Sequence, residues 1–334
     1  MSGALRIFAR VRDGKVAEVK MSSPRVDPSA VFVGRTPEEA ATLAGRLFSL
    51  CPMAQAIAAR AAAGLPAQAN ETLALLAERL AEMLRASLLD WPGAAAAPET
   101  LAVLREILPL LRRIGAEGSG DDAAPLRQAL ARLGLGARDG FCARRMAEAL
   151  ADECAMKLRP RKTDCLTAAD DLLVVAAAWA DKGFSRAPTL PGRRAETGVA
   201  ARRHVHGGLA ARLAAREAEM IETAATIDAL LQGGSAAEQV TRGDGFAAVD
   251  SARGKLHHAC RLGADGRIAD YRIVAPTEWN FHPDGPFAHM LIGAGIGEGA
   301  DAKRRVERLA FVFDPCIKAE AEILDSEIFG AADA

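Results

Sequence analysis

Apolar and polar residues alternate from Leu5 to Val11 and again from Lys15 to Lys20, with Asp13-Gly14 between them; this spacing and turn chemistry predict a β-hairpin. Thr36-Pro37-Glu38-Glu39 then offers a helix cap, a proline at the first helical position and a glutamate three residues past the cap. A helix is predicted to start there and to run toward Cys51. Pro52 follows that cysteine, and a missing N–H is tolerated in a first helical turn. Cys51 is therefore predicted to stand between two helical segments, the second over residues 53–63. From about 68 to 183 apolar residues recur three and four apart, as in Leu73, Leu76, Leu80, Met83, Leu84 and Leu88, which predicts amphipathic helices. Pro92-Gly93, Gly118 to Gly120 with Pro125, and Gly134 to Gly140 punctuate them.

The most apolar run, Leu172 to Ala180, is too short to span a bilayer and is predicted to form a buried helix. Residues 184–205, with two arginine doublets and no apolar period, read as a basic loop, and His204 and His206 at its end read as solvated. A long helix is predicted from Leu209 to Leu231, ending at Gly233-Gly234. The texture then changes to strands at 245–250, 254–262 and 267–275. Close to the end, the run Phe311-Val312-Phe313 drives into an Asp314-Pro315-Cys316 turn and leaves a thiol at the end of a buried segment. The fold class these patterns imply is α+β, predominantly α-helical, with short strands toward both ends.

Composition narrows the function classes. A formal charge of −1 on 334 residues exerts no global pull toward nucleic acid or anionic membrane. The N-terminus lacks the apolar core and small-residue cleavage site of a signal peptide, so a soluble, cytoplasmic protein is expected. Six scattered cysteines with no Cys-x-x-Cys pair suggest reduced thiols, not a disulfide framework or a zinc knuckle. Cys142, Cys154 and Cys165 are expected as small buried hydrophobes, as is Cys260, although its place two residues beyond His258 leaves a third soft ligand open. The alternating glycines from Gly293 to Gly299 do not fit a dinucleotide fingerprint, and no phosphate loop exists in the chain.

The end segments carry a specific resemblance. Gly3-Ala4-Leu5-Arg6-Ile7, Arg46 to Cys51-Pro52, Arg253-Gly254, His258, Gly266 to Tyr271, Pro276-Thr277-Glu278-Trp279-Asn280, Gly285-Pro286-Phe287, Leu291 and Asp314-Pro315-Cys316 resemble the motifs of the nickel-iron hydrogenase large subunit. The match covers roughly the first 65 and last 90 residues. It implies one large-subunit-like domain over 1–334, made of an N-terminal segment (1–65) with Cys51, a helical and abbreviated middle (66–240), and a C-terminal segment (241–334) with Cys316. In the family four thiolates hold the metal centre; here Phe48 and Ala319 stand at the positions of two of them. Ser2 aligns with the family's proton-transferring glutamate, and Glu322 with the histidine after which the family's C-terminal extension is cut, so neither hydrogen cleavage nor that processing is expected.

The chain thus resembles a degenerate large subunit of the HupK-like hydrogenase expression/formation type. That resemblance implies a non-catalytic maturation factor, a scaffold or chaperone that holds or transfers iron carrying cyanide and carbon monoxide, without nickel. Its expected partners are other hydrogenase maturation proteins and the large-subunit precursor. Cys51 and Cys316 are implied as the iron ligands, Arg253 as the cation that orients the cyanides and Asp314 as support for the pocket. Two other readings stay open: a metal-free docking protein among the maturation factors, and a small metal-dependent oxidoreductase.

Overall fold

The computed structural model describes residues 3–24, 26–159 and 162–325. Ser2 and the last nine residues, which bear on the lost glutamate and on processing, lie outside them. The hairpin forms as its spacing predicts, β1 (Leu5–Arg12) pairing antiparallel with β2 (Lys15–Ser22). Asp13 and Gly14 both take positive φ, the conformation a two-residue hairpin turn requires and Asp-Gly tolerates. Alternation buries Leu5, Ile7, Ala9, Val16 and Val19 on one face. Next come α1 (Pro37–Leu47), closed by the Thr36/Glu39 capping box, and α2 (Pro52–Ala62), which starts at the proline after Cys51.

The middle opens with four helices, α3 (Glu71–Leu89), α4 (Pro98–Glu117), α5 (Ala123–Leu133) and α6 (Phe141–Met156), and the predicted breaks at Pro92-Gly93, Gly118 to Gly120 and Gly134 to Gly140 fall between them. Pro125 is the third residue of α5, where its missing N–H costs nothing. Beyond them lie β3 (Asp164–Cys165) and α7 (Asp171–Ala180). The segment expected as an irregular basic loop is partly ordered: β4 (Ala195–Glu196) pairs with β3, and α8 (Val199–Arg202) follows. Two of its arginines pin the segment, Arg193 on Asp164 and Asp170 and Arg202 on Glu219. A second correction concerns α7. Val174, Val175 and Ala178 are buried, but Leu172 is 68% and Leu173 60% exposed.

Helix α9 (Leu209–Leu231) matches the predicted span and packs across α3 and α6. An antiparallel meander follows, β5 (Val240–Gly243), β6 (Phe246–Ser251), β7 (Gly254–Leu262) and β8 (Ile268–Val274), in that spatial order. Its first strand was not anticipated, because four residues ending in glycine carry no legible alternation. One face of the meander packs on α2; α7 packs against β7 and β8. Short helices α10 (Pro276–Asn280) and α11 (Pro286–Leu291) lead to α12 (Gly299–Phe311) and a last strand, β9 (Ala319–Asp325). Strand β9 lies parallel to β1, from Leu5 opposite Ala319 to Val11 opposite Asp325, so the two ends of the chain share one sheet. No helix among the described residues is long and apolar enough to cross a membrane.

Asn280 shows why the Trp-Asn pair sits where it does. Its Oδ1 accepts the Thr197 N–H at 3.0 Å, and its Nδ2 donates to the carbonyls of Thr197 (2.9 Å) and Phe313 (3.0 Å). One buried amide therefore ties the segment after β4 to the residue before Asp314. Asn280→Ala leaves three buried backbone groups without partners, each worth about 1 kcal/mol or more. Urea denaturation of that variant is expected to show a loss of about 3 kcal/mol; a loss within experimental error of zero contradicts the clamp.

Candidate metal centre

Two turns deliver the two cysteines. After α1 the chain extends through Phe48 to Cys51, which takes φ 56° and ψ 41°. That left-handed conformation costs a non-glycine residue about 1 kcal/mol and persists only where its surroundings enforce it. Here Pro52 fixes the next residue, Gln55 N–H donates to the Cys51 carbonyl at 3.0 Å, and Glu78 of α3 accepts the N–H groups of Met53 (2.6 Å) and Ala54 (3.0 Å). Glu78 thus satisfies orphan donors at the start of α2 and holds the Cys51 turn against α3. The second turn has the same device. Asp314 stands at φ 56° three residues after the end of α12, and the chain turns through Pro315 to Cys316. Thr277 of α10 donates to the Cys316 Sγ at 3.0 Å, and its Oγ1 lies 3.0 Å from the Cys316 backbone N–H.

Arg253 joins the two turns from the β6–β7 loop. It is 3% exposed, and all three of its nitrogens are engaged. Nη1 donates to Cys51 Sγ at 3.0 Å, Nη2 to Glu82 of α3 at 3.0 Å, and Nε to the Pro315 carbonyl at 3.3 Å. The glycine that follows is a packing requirement. Gly254 has φ 127°, and a Cβ there would lie 2.5 Å from Thr197 Oγ1 and 2.6 Å from the Gly198 nitrogen. Only glycine lets the Arg253 loop press this close to the segment that Asn280 clamps.

Between the turns lies a cavity of about 140 Å³ lined by Phe48, Cys51, Gln55, Arg253, Cys316 and Ile317 among others. Three of the four implied site residues meet there. The fourth, Asp314, stands behind them, its carboxylate 2.6 Å from Arg216 of α9; Arg216 is in turn held by Ser87 (2.9 Å) and lies over the Phe311 ring. Burial pushes the Cys51 thiol up to about 12, against the pull of Arg253 and with the help of Glu78 and Glu82. The Arg253 guanidinium is held above its ordinary value: burial opposes its charge, but Cys51, Asp314, Glu82 and Cys316 outweigh it. Among the described residues no three His, Cys, Asp or Glu side chains gather as a metal site, and the sulfurs lining the cavity are those of Cys51 and Cys316. Phe48, which the resemblance sets at the position of one family thiol, lines the cavity, and Ala319, set at another, leaves into β9. Such a set fits a soft metal that brings its other ligands with it; it does not fit a four-thiolate centre.

The remaining cysteines divide. Cys260 is buried in the apolar cluster with Tyr271 and Ile268 and does not line the cavity; Cys142 is buried as expected. Cys154 is exposed, and Cys165 is half-buried with Sγ 3.4 Å from His204 Nδ1, so the buried-hydrophobe expectation fails for both. Cys165 sits in a two-residue edge strand facing the exposed loop that carries His204. The supporting residues that sequence reasoning missed had faint signals. Glu78 and Glu82 place like charges four apart on α3, and Arg212 and Arg216 do the same in α9; such spacing is unfavourable unless a partner waits in the fold.

Behind Gln55 a buried relay runs to His258 (2.9 Å) and on to the Tyr271 hydroxyl (2.7 Å). Burial, and then the neighbouring His257, lowers His258 to about 3. The unfolded chain therefore takes up a proton near 6.5 that the folded chain refuses until about 3. Stability from neutral His258 is complete above that window and is lost as pH falls through it, by about 1.4 kcal/mol per pH unit. Glu78 runs the other way, since burial raises it to about 7 against the N–H groups of Ala54 and Met53, so the folded chain gains stability as it is protonated. Comparison with His258→Gln separates the two. The stability gap between the parent and that variant is expected to shift by about 2 kcal/mol in the variant's favour between about pH 7 and pH 5; a constant gap rules out a neutral buried histidine.

The sheet meander, the α-helical middle and the paired terminal turns are the fold of nickel hydrogenases. The chain superposes on the nickel-iron-selenium hydrogenase from D. vulgaris Hildenborough with a TM-score of 0.63 at 16% identity, covering 92% of this chain and 94% of that one. The family model for nickel-dependent hydrogenase matches residues 182–320. Within this class, the chain belongs to the HupK family of hydrogenase expression/formation proteins. It is 40% identical to the hydrogenase expression/formation protein HupK of Rhizobium leguminosarum bv. viciae over 92% of each chain, and 34% identical to that of Bradyrhizobium diazoefficiens over 90% of this chain and 91% of the other.

Proposed function

We propose that this protein is a non-catalytic factor in hydrogenase maturation that takes temporary custody of an iron ion carrying cyanide and carbon monoxide, held by Cys51 and Cys316, and passes it on to a large-subunit precursor. The maturation role is supported by the names of its relatives, and the cargo by one observation: two thiols from opposite ends of the chain line a single cavity beside a buried arginine. A guanidinium has five N–H groups, and Arg253 uses three on the protein. Two are left to donate to the nitrogen ends of cyanide. Each sulfur–iron bond displaces one thiol proton to water, and Arg253, 3.0 Å from Cys51, stabilises the thiolate that remains. A site with two thiolates binds more weakly than an acceptor with four, so the unit moves in one direction.

A second reading, a metal-free docking protein, has one observation on its side: burial holds the Cys51 thiol up at about 12, as in a relic of a core. One experiment separates them. Protein purified without oxygen from cells expressing the maturation machinery is examined by infrared spectroscopy, with iron and nickel counted on the same sample. Cyanide and carbon monoxide stretches with iron and without nickel are expected. A metal-free sample lacking those bands overturns custody and leaves docking, while stoichiometric nickel would point to an oxidoreductase.

A further inference from the structure

A second cleft lies beside α10, and the metal centre shares no residue with it. It opens between the 188–195 segment and the turn after α10, with a volume of about 490 Å³, and continues past Gly192 and Arg194 into a smaller lobe of about 220 Å³ reached by Lys162. That size suits a small metabolite. Its acids are largely spoken for. Asp164 is taken by Arg193 at 2.8 Å and Glu196 by Arg212 at 2.8 Å. Arg194 and Lys162, both exposed, have no ion pair among the described residues, and one carboxylate, Asp284 at the rim, has none either.

Two further donors face no protein acceptor among the described residues. Trp279 lines the cleft and is 2% exposed, yet its indole Nε1–H has no hydrogen-bond partner among the described residues. A buried donor left so is costly and is ordinarily answered by a ligand or water. His282 accepts the Asp284 N–H at Nδ1 (3.0 Å), and burial lowers its pKa, so the neutral ring carries its proton on Nε2 as a donor.

We infer that this cleft is a binding site for a small oxyanion-bearing metabolite, a phosphate ester or a carboxylate, held by Arg194, Trp279 Nε1–H and His282 Nε2–H. The shared chemistry is an anionic oxygen that accepts from a cation and two neutral donors in a partly desolvated cleft, where charge-assisted hydrogen bonds are strongest. Asp284 favours a ligand that carries a hydroxyl or amino group beside the anion. The inference is independent of the iron reading.

The test follows indole N–H signals in heteronuclear NMR spectra of the full chain, which has three tryptophans. Inorganic phosphate and succinate are titrated separately at constant ionic strength, and Trp279→Phe assigns the signal. The Trp279 indole is expected to move with a midpoint near or below about 1 mM, a binding free energy of about −4 kcal/mol, whereas the Trp91 indole, bonded to Glu148 at 2.6 Å, stays still. A response to phosphate alone or to succinate alone names the class of anion. Arg194→Ala, a change at an exposed side chain that leaves the fold intact, is expected to weaken the midpoint at least tenfold. No movement of the Trp279 signal with either anion overturns the proposal, as does equal movement in Arg194→Ala.

Discussion

Changing Asp314 to asparagine is expected to remove about 3 kcal/mol of stability, read as a lower urea midpoint with an unchanged slope. Asparagine tolerates the left-handed backbone at φ 56° and keeps the side-chain volume, so backbone strain and packing are held constant. What changes is charge. Arg216 is 2% exposed, and its other partners, Ser87 Oγ and the Met83 carbonyl at 3.3 Å, are neutral. Without the carboxylate its charge stays buried and uncompensated, which typically costs 3–5 kcal/mol where one partner of a buried pair is removed, on the order of a third or more of a domain's stability. Adding Arg216→Met should restore most of the loss, because an apolar side chain of similar length removes the orphaned charge. If the single variant falls within about 1 kcal/mol of the parent, the pair is not what holds the Asp-Pro-Cys turn on α9.

This pair marks the boundary of what the chain makes legible. Where structure depends on neighbours in sequence, residue chemistry was sufficient: Asp13-Gly14 set the hairpin, Thr36 and Glu39 the start of α1, Pro52 the break beside Cys51, and Gly233-Gly234 the end of α9. The site was legible only through motifs. Cys51, Arg253 and Cys316 are 202 and 63 residues apart along the chain, so no local pattern relates them, and only their joint spacing within a known family does. Nearly hidden from both views were the groups that act across the fold. Glu82 and Arg216, whose signal in the sequence is a like charge four residues away, gain their roles only when Arg253 and Asp314 are brought against them. The edge strand β9 was equally hidden, because Ala-Glu-Ala-Glu becomes a strand through β1, which lies more than 300 residues away. The exposed Leu172 and Leu173 went unforeseen for the opposite reason: an all-apolar helix normally lies buried on every side.

Cys51→Ser and Cys316→Ser are each expected to lower retained iron at least tenfold while leaving the fold in place. The argument rests on the donor count. With two sulfurs in the cavity, losing one leaves a monodentate site, and a serine hydroxyl is a harder donor that does not ionise near neutral pH. The folding cost is small for different reasons at the two positions. At Cys51 the hydroxyl still accepts from Arg253, whose other bonds to Glu82 and Pro315 remain; at Cys316 it still accepts from Thr277 in a half-buried turn. Thermal midpoints within a few degrees of the parent correspond to less than about 1 kcal/mol, and they separate loss of a ligand from loss of the protein. Arg253→Lys supplies the contrast: both sulfurs stay, the positive charge stays, but the fork that spans Cys51, Glu82 and the Pro315 carbonyl is lost. That variant should retain some iron and shift the cyanide stretches, because a single ammonium cannot direct two donors at the cargo while also holding both turns. Undiminished iron in both serine variants would sink the custody reading, and then the two thiols, despite meeting in one cavity, would be no more than packing between the ends of the chain.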